Sequence, residues 1–431
     1  MKFNLLKWLP ESRHRRSILI FSAALAFAAL AAGMSDQLLS NYFKDAYLVN
    51  TFQRGLIEFP RELPGILVIF VVSLLASFGS MRLAMLAQGL AIFGLVVLGF
   101  LTPPFAVMLV FLFIYSLGGH IWYPLQDSIA MRLIHDENNA GRTIGRFKGV
   151  STAFTMVASI GVFLGFRYKL FSFTTPVKTI FLLAAGMLLL VIAALILLRR
   201  TLKPISSESA QPGQPAEVPA VPVRKFRFVF RREYKYYYIL AIVFGVQKQI
   251  MFVYGPWVLI ELLGKKADTI SLLGVIGAFI GIFFIPALGR WLDRFGIKKM
   301  LYIDALSFIG VYIAYGLLSS GFSSGLLPKA GLPVILAGAL FIVDRMSMQM
   351  GLIRSLYMRS IALKTEDIAP TLTLGQSMDH VVSIVFATLG GLIWSTWGPQ
   401  YIFFMAAGFS MLNFMVAVKA KINDPKNAVH E

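Results

Sequence analysis

The polar and apolar positions of this chain fall into blocks. Apolar runs of about 20 residues, the length an α-helix needs to cross a hydrocarbon core, recur about twelve times. They predict spans near 17–38, 51–77, 83–101, 104–131, 148–166 and 179–198. A second set follows near 237–260, 270–288, 300–318, 332–358, 370–394 and 400–418. The runs are too long, and alternate too little, for the strands of a membrane barrel. Between the two sets lies a polar stretch, 199–235. It holds Pro204, Pro212, Pro215, Pro219 and Pro222 among Ser, Gln, Gly and Glu, and reads as a flexible linker. The expectation is an all-α membrane protein: a six-helix half over 1–198, a cytoplasmic linker over 199–235 and a second six-helix half over 236–431.

Composition supports this. Of 431 residues, 57% are hydrophobic and only 14% charged, unlike a soluble domain. There is no cysteine, so thiol chemistry plays no part. The net charge of +19 would suit a nucleic-acid partner. The basic residues instead gather on one side of the predicted spans: Lys2, Lys7, Arg13, Arg15 and Arg16 before span 1, both linker ends, and the tail Lys419, Lys421 and Lys426. That distribution is the positive-inside rule at work. It places both termini in the cytoplasm, in a bacterial cytoplasmic membrane, with no nucleic-acid partner. Ala29-Leu30-Ala31 has the form of a signal-cleavage site, but so long a run followed by further spans fits an uncleaved first helix. The segment RKFRFVFRREYKYYY, 224–238, suits the headgroup zone of an anionic leaflet, as an anchor or a lipid site.

Charge inside a span is expensive and marks candidate sites. In span 2, Arg54, Glu58 and Arg61 share a helix face and Glu62 lies four residues after Glu58. Pro60 and Pro64 interrupt the ladder there. The group reads as an outer gate or proton site, or as a self-neutralised network. Span 4 carries a stripe of Ser116, His120, Tyr123 and Asp127. Asp36, near the outer end of span 1, reads as a solvated helix end. Lys248 sits mid-span and needs a carboxylate, a cavity or a substrate anion. Span 10 holds Asp344, Arg345, Gln349 and Arg354. Asp344 and Arg345, being adjacent, point apart, and Arg354 reads as an inner gate. In span 11, Asp379 beside His380 reads as a proton-handling pair, or as an Asp379 paired with Arg345 or Lys248.

After span 8 the chain reads GRWLDRFGIKK. Gly289, Asp293, Arg294, Gly296, Lys298 and Lys299 match G-x-x-x-D-R-x-G-x-[RK]-[RK], which resembles the cytoplasmic signature of the major facilitator superfamily. The resemblance implies the two-half fold, a loop at Asp293 and Arg294 that steadies one access state, a small-molecule substrate and proton coupling. The turn between spans 2 and 3 keeps only Gly79 and Arg82 of the pattern. Span 4 lacks the arginine, and span 5 the Gly-Pro signature, of proton-coupled and antiport members. A faint echo lays 149–165 on 375–391, as a parallel repeat would.

These readings combine into a monomeric secondary transporter in contact with membrane lipids. His120, Tyr123, Lys248, Arg345 and Gln349 would touch substrate, and Glu58, Glu62, Asp344 and Asp379 would couple protons. No cofactor or metal is expected, and the lack of GxxxxGK[ST] argues against ATP. An efflux pump for amphiphiles and a non-transporting sensor are the alternatives. A membrane enzyme is disfavoured, since the one long loop lacks histidine.

Overall fold

The computed structural model describes residues 12–75, 78–133, 140–202 and 229–420. The centre of the expected linker lies outside the described residues, as do 134–139, Ser77, Lys2, Lys7, Lys421 and Lys426. The described chain is almost wholly helical, and ten of its helices are long and apolar enough to cross a membrane.

Helix α1 (Ser12–Ser35) passes through a 3-10 turn at Asp36–Leu38 into α2 (Leu39–Tyr47), so the first apolar element extends beyond the expected 17–38. Helix α3 (Thr51–Leu56) opens on a reciprocal cap between Asn50 and Gln53, and α4 (Glu58–Leu74) follows. The interruption expected of Pro60 is present, and that expected of Pro64 is not. It falls at Ile57, while Pro64 sits inside α4. Pro60 explains the position: it has no N–H for the Leu56 carbonyl four residues back, and its ring crowds that carbonyl.

Then come α5 (Ser80–Phe100), α6 (Phe105–Arg132), α7 (Ala140–Arg167) and α8 (Thr179–Leu202). A 3-10 turn at Arg232–Tyr234 leads into α9 (Lys235–Gln249). The expected bend at Gly255-Pro256 takes an unforeseen form. A single α turn, Gly255–Trp257, stands between two π turns, Ile250–Tyr254 and Val258–Leu262. Helix α10 (Ala267–Ser324) covers two expected spans and is broken where the signature lies: Gly296 has φ 75° and ψ 165°. That conformation is open to glycine and strained for other residues. Helices α11 (Leu332–Gln349), α12 (Leu352–Ile361), α13 (Thr365–Thr396) and α14 (Pro399–Lys419) complete the chain.

The helices pack as two compact units. One comprises Met1–Gln37 and Leu67–Arg224, the other Leu38–Ile66 and Lys225–Glu431. In the first, α1 lies against α7 and α8, and α5 against α6 and α8. Buried Ala84, Ala87 and Ala91 on α5 make the approach to α6 close, and a Cβ on Gly118 would meet the α5 backbone. In the second, α10 packs on α14, and α13 on α3 and α9. Its interior is rich in tyrosine: Tyr315 stacks on Phe403 with ring centroids 4.9 Å apart, and Tyr254 on Trp394 at 6.1 Å.

The segment read as a headgroup anchor is partly committed to protein. Buried Asp367 forms an ion pair with Arg231, 2.9 Å from its Nε, and accepts a hydrogen bond from the Tyr234 hydroxyl at 2.9 Å, which ties the entry of α9 to the start of α13. Phe230 stacks on Tyr238 at 4.9 Å while remaining 75% exposed.

Candidate functional site

The shared face of Arg54, Glu58 and Arg61 survives the break at Ile57. Arg54 Nη1 donates to Glu58 Oε1 at 2.7 Å, and Arg61 Nη1 donates to the same oxygen at 2.9 Å. Arg54 turns its other nitrogens to Ser40 Oγ at 3.0 and 3.3 Å. Arg54 and Glu58 are wholly buried. One carboxylate thus serves two guanidiniums, and apolar rings complete their surroundings. Phe43 lies 5.5 Å from the Arg54 guanidinium, and Phe252 5.6 Å from that of Arg61.

One turn further along α4, Glu62 meets the second half of the cluster. Lys248 Nζ donates to Glu62 Oε2 at 2.7 Å and to Asp379 Oδ1 at 3.0 Å. His380 Nδ1 lies 2.7 Å from Glu62 Oε2. At that distance from a carboxylate oxygen, Nδ1 carries the proton and donates it. Its approach of 3.4 Å to Lys248 Nζ therefore sets donor against donor and is not a hydrogen bond. The imidazole ring rests against Gly65, where a Cβ would overlap it. On the same side of the unit, a Cβ on Gly55 would run into the Ala387 carbonyl, so α3 touches the α13 backbone directly.

Three cations meet three carboxylates in these ion pairs, and Arg354 adds a further positive charge acting on Asp379. Arg54, Arg61 and Lys248 face Glu58, Glu62 and Asp379, with His380 closing one edge. A buried cation without such partners would cost several kcal/mol, roughly the effective penalty of ion burial. The partner of Lys248 is thus two carboxylates, and Asp379 pairs with Lys248 rather than Arg345.

Other expected residues lie elsewhere. Asp344 is buried beside Tyr312 and Tyr315. The Arg345 guanidinium lies 4.6 Å from the Phe341 ring centroid, and its charge and that of Asp344 act on each other although the two are adjacent on the helix. Gln349 is exposed at the end of α11. Arg354 lies 3.3 Å from the Phe244 ring centroid. Asp293, Arg294 and Lys298 are exposed around the Gly296 break, and Gly289 faces open space.

His120 and Tyr123 belong to the first unit, which carries a half-open cavity of about 530 Å³. His120 Nδ1 sits 2.9 Å from the Ser116 carbonyl oxygen and 3.2 Å from its hydroxyl. The wall is offset from the polar stripe. Tyr115, Gly119, Trp122, Tyr123, Gln126 and Asp127 line it, whereas Ser116 and His120 do not. Asp36, exposed at the end of α1, also lines it, and Tyr115 Oη donates to Asp36 Oδ1 at 2.6 Å. Lys148 Nζ stands 3.7 Å from Asp127 Oδ1 at the wall. Sequence reasoning passed over Tyr115 and Lys148. The only signal for Tyr115 was its place one residue from the stripe.

Comparison with known proteins agrees with this architecture. The family model described as the Major Facilitator Superfamily matches residues 17–367. A comparison with curated protein sequences returns no match. Among solved structures, the nucleoside transporter NupG superposes with a TM-score of 0.68 at 14% identity, over 95% of this chain and 100% of that one. A POT family transporter solved with 5-aminolevulinic acid gives 0.72 at 14% identity, over 94% and 96%. A D-xylose–proton symporter gives 0.62 at 15% identity, over 93% and 97%. Identities this low speak for the fold alone. With the family model spanning most of the sequence and ten membrane-length helices beneath it, this chain is an integral membrane protein and belongs to the Major Facilitator Superfamily of transporters.

Proposed function

We propose that the protein is a proton-coupled secondary transporter, moving a small-molecule solute by alternating access. The cavity of the first unit holds the solute, and Glu62, Lys248, Asp379 and His380 form the coupling site. The observation that carries this reading is that Lys248 is shared between Glu62 and Asp379, at 2.7 and 3.0 Å. A proton delivered to either carboxylate leaves Lys248 with half of its counter-charge. The buried cluster then holds an excess positive charge, and its ion pairs weaken. A cluster whose cohesion depends on one proton can hold one access state and release it.

In this reading Lys248 acts with the carboxylates rather than as a substrate ligand, because its charge is already matched. Glu58 neutralises Arg54 and Arg61 and sets the cluster's framework. Asp344, with Arg345 and Gln349 on the same helix, remains a separate candidate group. Dividing α10 at Gly296 and adding the 17-residue α4 brings the span count to twelve, in two six-helix halves joined by 199–235. Both termini then face the cytoplasm of a bacterial cell. The protein works as a monomer without nucleotide or cofactor.

The test uses purified protein in liposomes loaded with a pH-sensitive dye, challenged with solutes that raise its unfolding temperature. Solute addition is expected to move protons in the wild type. Glu62→Gln and Asp379→Asn should still bind the solute and move none. Undiminished proton movement in both variants would remove the coupling assignment.

A further inference from the structure

We propose that the cavity of the first unit takes an uncharged solute with a planar amide edge, a carboxamide or lactam on an aromatic body, and that Gln88 reads that edge. The inference rests on the reading that this cavity is the solute site, and it names the solute's class. Gln88, on α5, is 3% exposed, lines the cavity and makes no hydrogen bond with any described residue. A buried amide without partners costs free energy, and a ligand that supplies them recovers it. A carboxamide sets an acceptor oxygen beside an N–H donor. The edge that satisfies both at once carries a donor beside an acceptor, as amides and lactams do. A ketone offers no donor. A carboxylate sets oxygen against oxygen, and an amidinium sets N–H against N–H.

The hydroxyls on the wall are already engaged. Those of Ser35, Ser151 and Thr155 lie 2.8, 3.2 and 2.9 Å from the carbonyl oxygens of Ala31, Phe147 and Ser151, one turn back. The charged side chains among the described lining residues also have polar partners: Asp36 accepts from Tyr115, and Lys148 stands beside Asp127. A neutral solute asks nothing of them. Gln126 is a second, half-buried amide on the wall. A Cβ on Gly118 would meet the backbone of Ala87 and Ala91, so Gln88 stands level with Gly118. Gln126 lies eight residues further along α6, roughly 12 Å along the axis. A compact solute held by Gln88 therefore meets Gln126 only at its far end. Trp122 and Tyr123 add aromatic surface, and Ala28, Ala29 and Ala32 leave flat apolar width between.

The test compares four probes of one shape on the full-length protein in detergent at neutral pH: 2-naphthamide, 2-acetonaphthone, 2-naphthoate and 2-naphthamidine. Thermal unfolding and titration calorimetry read binding without a proton gradient. The amide should bind about tenfold more tightly than the ketone or either ion, the worth of a hydrogen bond made or missed. Gln88→Leu should remove that margin, and Gln126→Leu should narrow it less. Gln88→Glu keeps the shape and should turn the preference to the amidine, whose paired N–H groups match a carboxylate. If Gln88→Leu does not fold, Gln88→Glu carries the test alone. Equal binding of amide and ketone in the wild type, preference for either ion, or no binding of any probe would overturn the proposal. So would a full amide margin in a folded Gln88→Leu, or an unchanged amide preference in Gln88→Glu. Gly119 separates the class from the site. It lines the cavity and its Cβ position is open, so Gly119→Leu fills that space and should weaken all four probes. Binding that survives Gly119→Leu intact would unseat the cavity as the solute site, and the proposal with it. Binding lost there without any preference for the amide would unseat the class alone.

Discussion

Lys248 and Glu62 meet at 2.7 Å although 186 residues separate them in the chain. Asp379 reaches the same ammonium from 131 residues downstream. Three helices, α4, α9 and α13, are thereby joined at one nitrogen, and removal of that nitrogen has a definite sign. Lys248→Met leaves two buried carboxylates facing each other and should destabilise the protein by about 3–5 kcal/mol. Adding Asp379→Asn should return much of that loss, since one repelling charge is gone. Unfolding in detergent, read by tryptophan fluorescence, measures both. A single variant as stable as wild type would show that the pair is not formed.

Glu58 is the only carboxylate bridging Arg54 and Arg61 among the described ion pairs. Glu58→Gln leaves two guanidiniums side by side in an apolar setting. We expect a loss of about 3–5 kcal/mol. Arg61→Gln should cost less, because Arg54 and Glu58 still match one for one. The order of the two unfolding midpoints is the measurement, and the reverse order would contradict the shared-carboxylate geometry.

Gly55→Ala drives a methyl into the Ala387 carbonyl, where backbone cannot step aside. Overpacking of this kind should cost about 1–3 kcal/mol. Gly186→Ala, on α8 with open space at its Cβ position, should be neutral or stabilising by about 0.5–1 kcal/mol through helix propensity. Equal midpoints for the two variants would argue against a backbone-to-backbone contact of α3 with α13.

Gly296→Ala forces a side chain into φ 75°, at a strain of about 1–3 kcal/mol. The expected result is a lower unfolding midpoint with the helical content retained. Circular dichroism reads both. A wild-type midpoint would mean that the break does not persist.

The sequence made the helices visible because membrane-length apolar runs admit few readings. It also exposed Arg54, Glu58 and Arg61, since one helix face sets that contact locally. The need of Lys248 for a carboxylate followed from burial alone. Which carboxylate it finds did not, because Glu62 and Asp379 arrive from distant helices. The break at Ile57 is the interruption Pro60 brings, since a proline acts on the carbonyl four residues before it, here Leu56, while Pro64 leaves α4 unbroken. The two π turns left no compositional mark beyond Gly255-Pro256. Asp36 does stand exposed at a helix end, and its link to Tyr115, 79 residues further along, left no local mark.

The contact between Gly65 and the His380 ring ties two positions that lie far apart in the chain. A lineage cannot enlarge residue 65 while the imidazole stays where it is, nor easily move the imidazole while Glu62 holds it. The two sites should therefore drift as a unit. Relatives that keep histidine at 380 should keep glycine at 65, and those that gain a side chain at 65 should have already traded the histidine for something smaller.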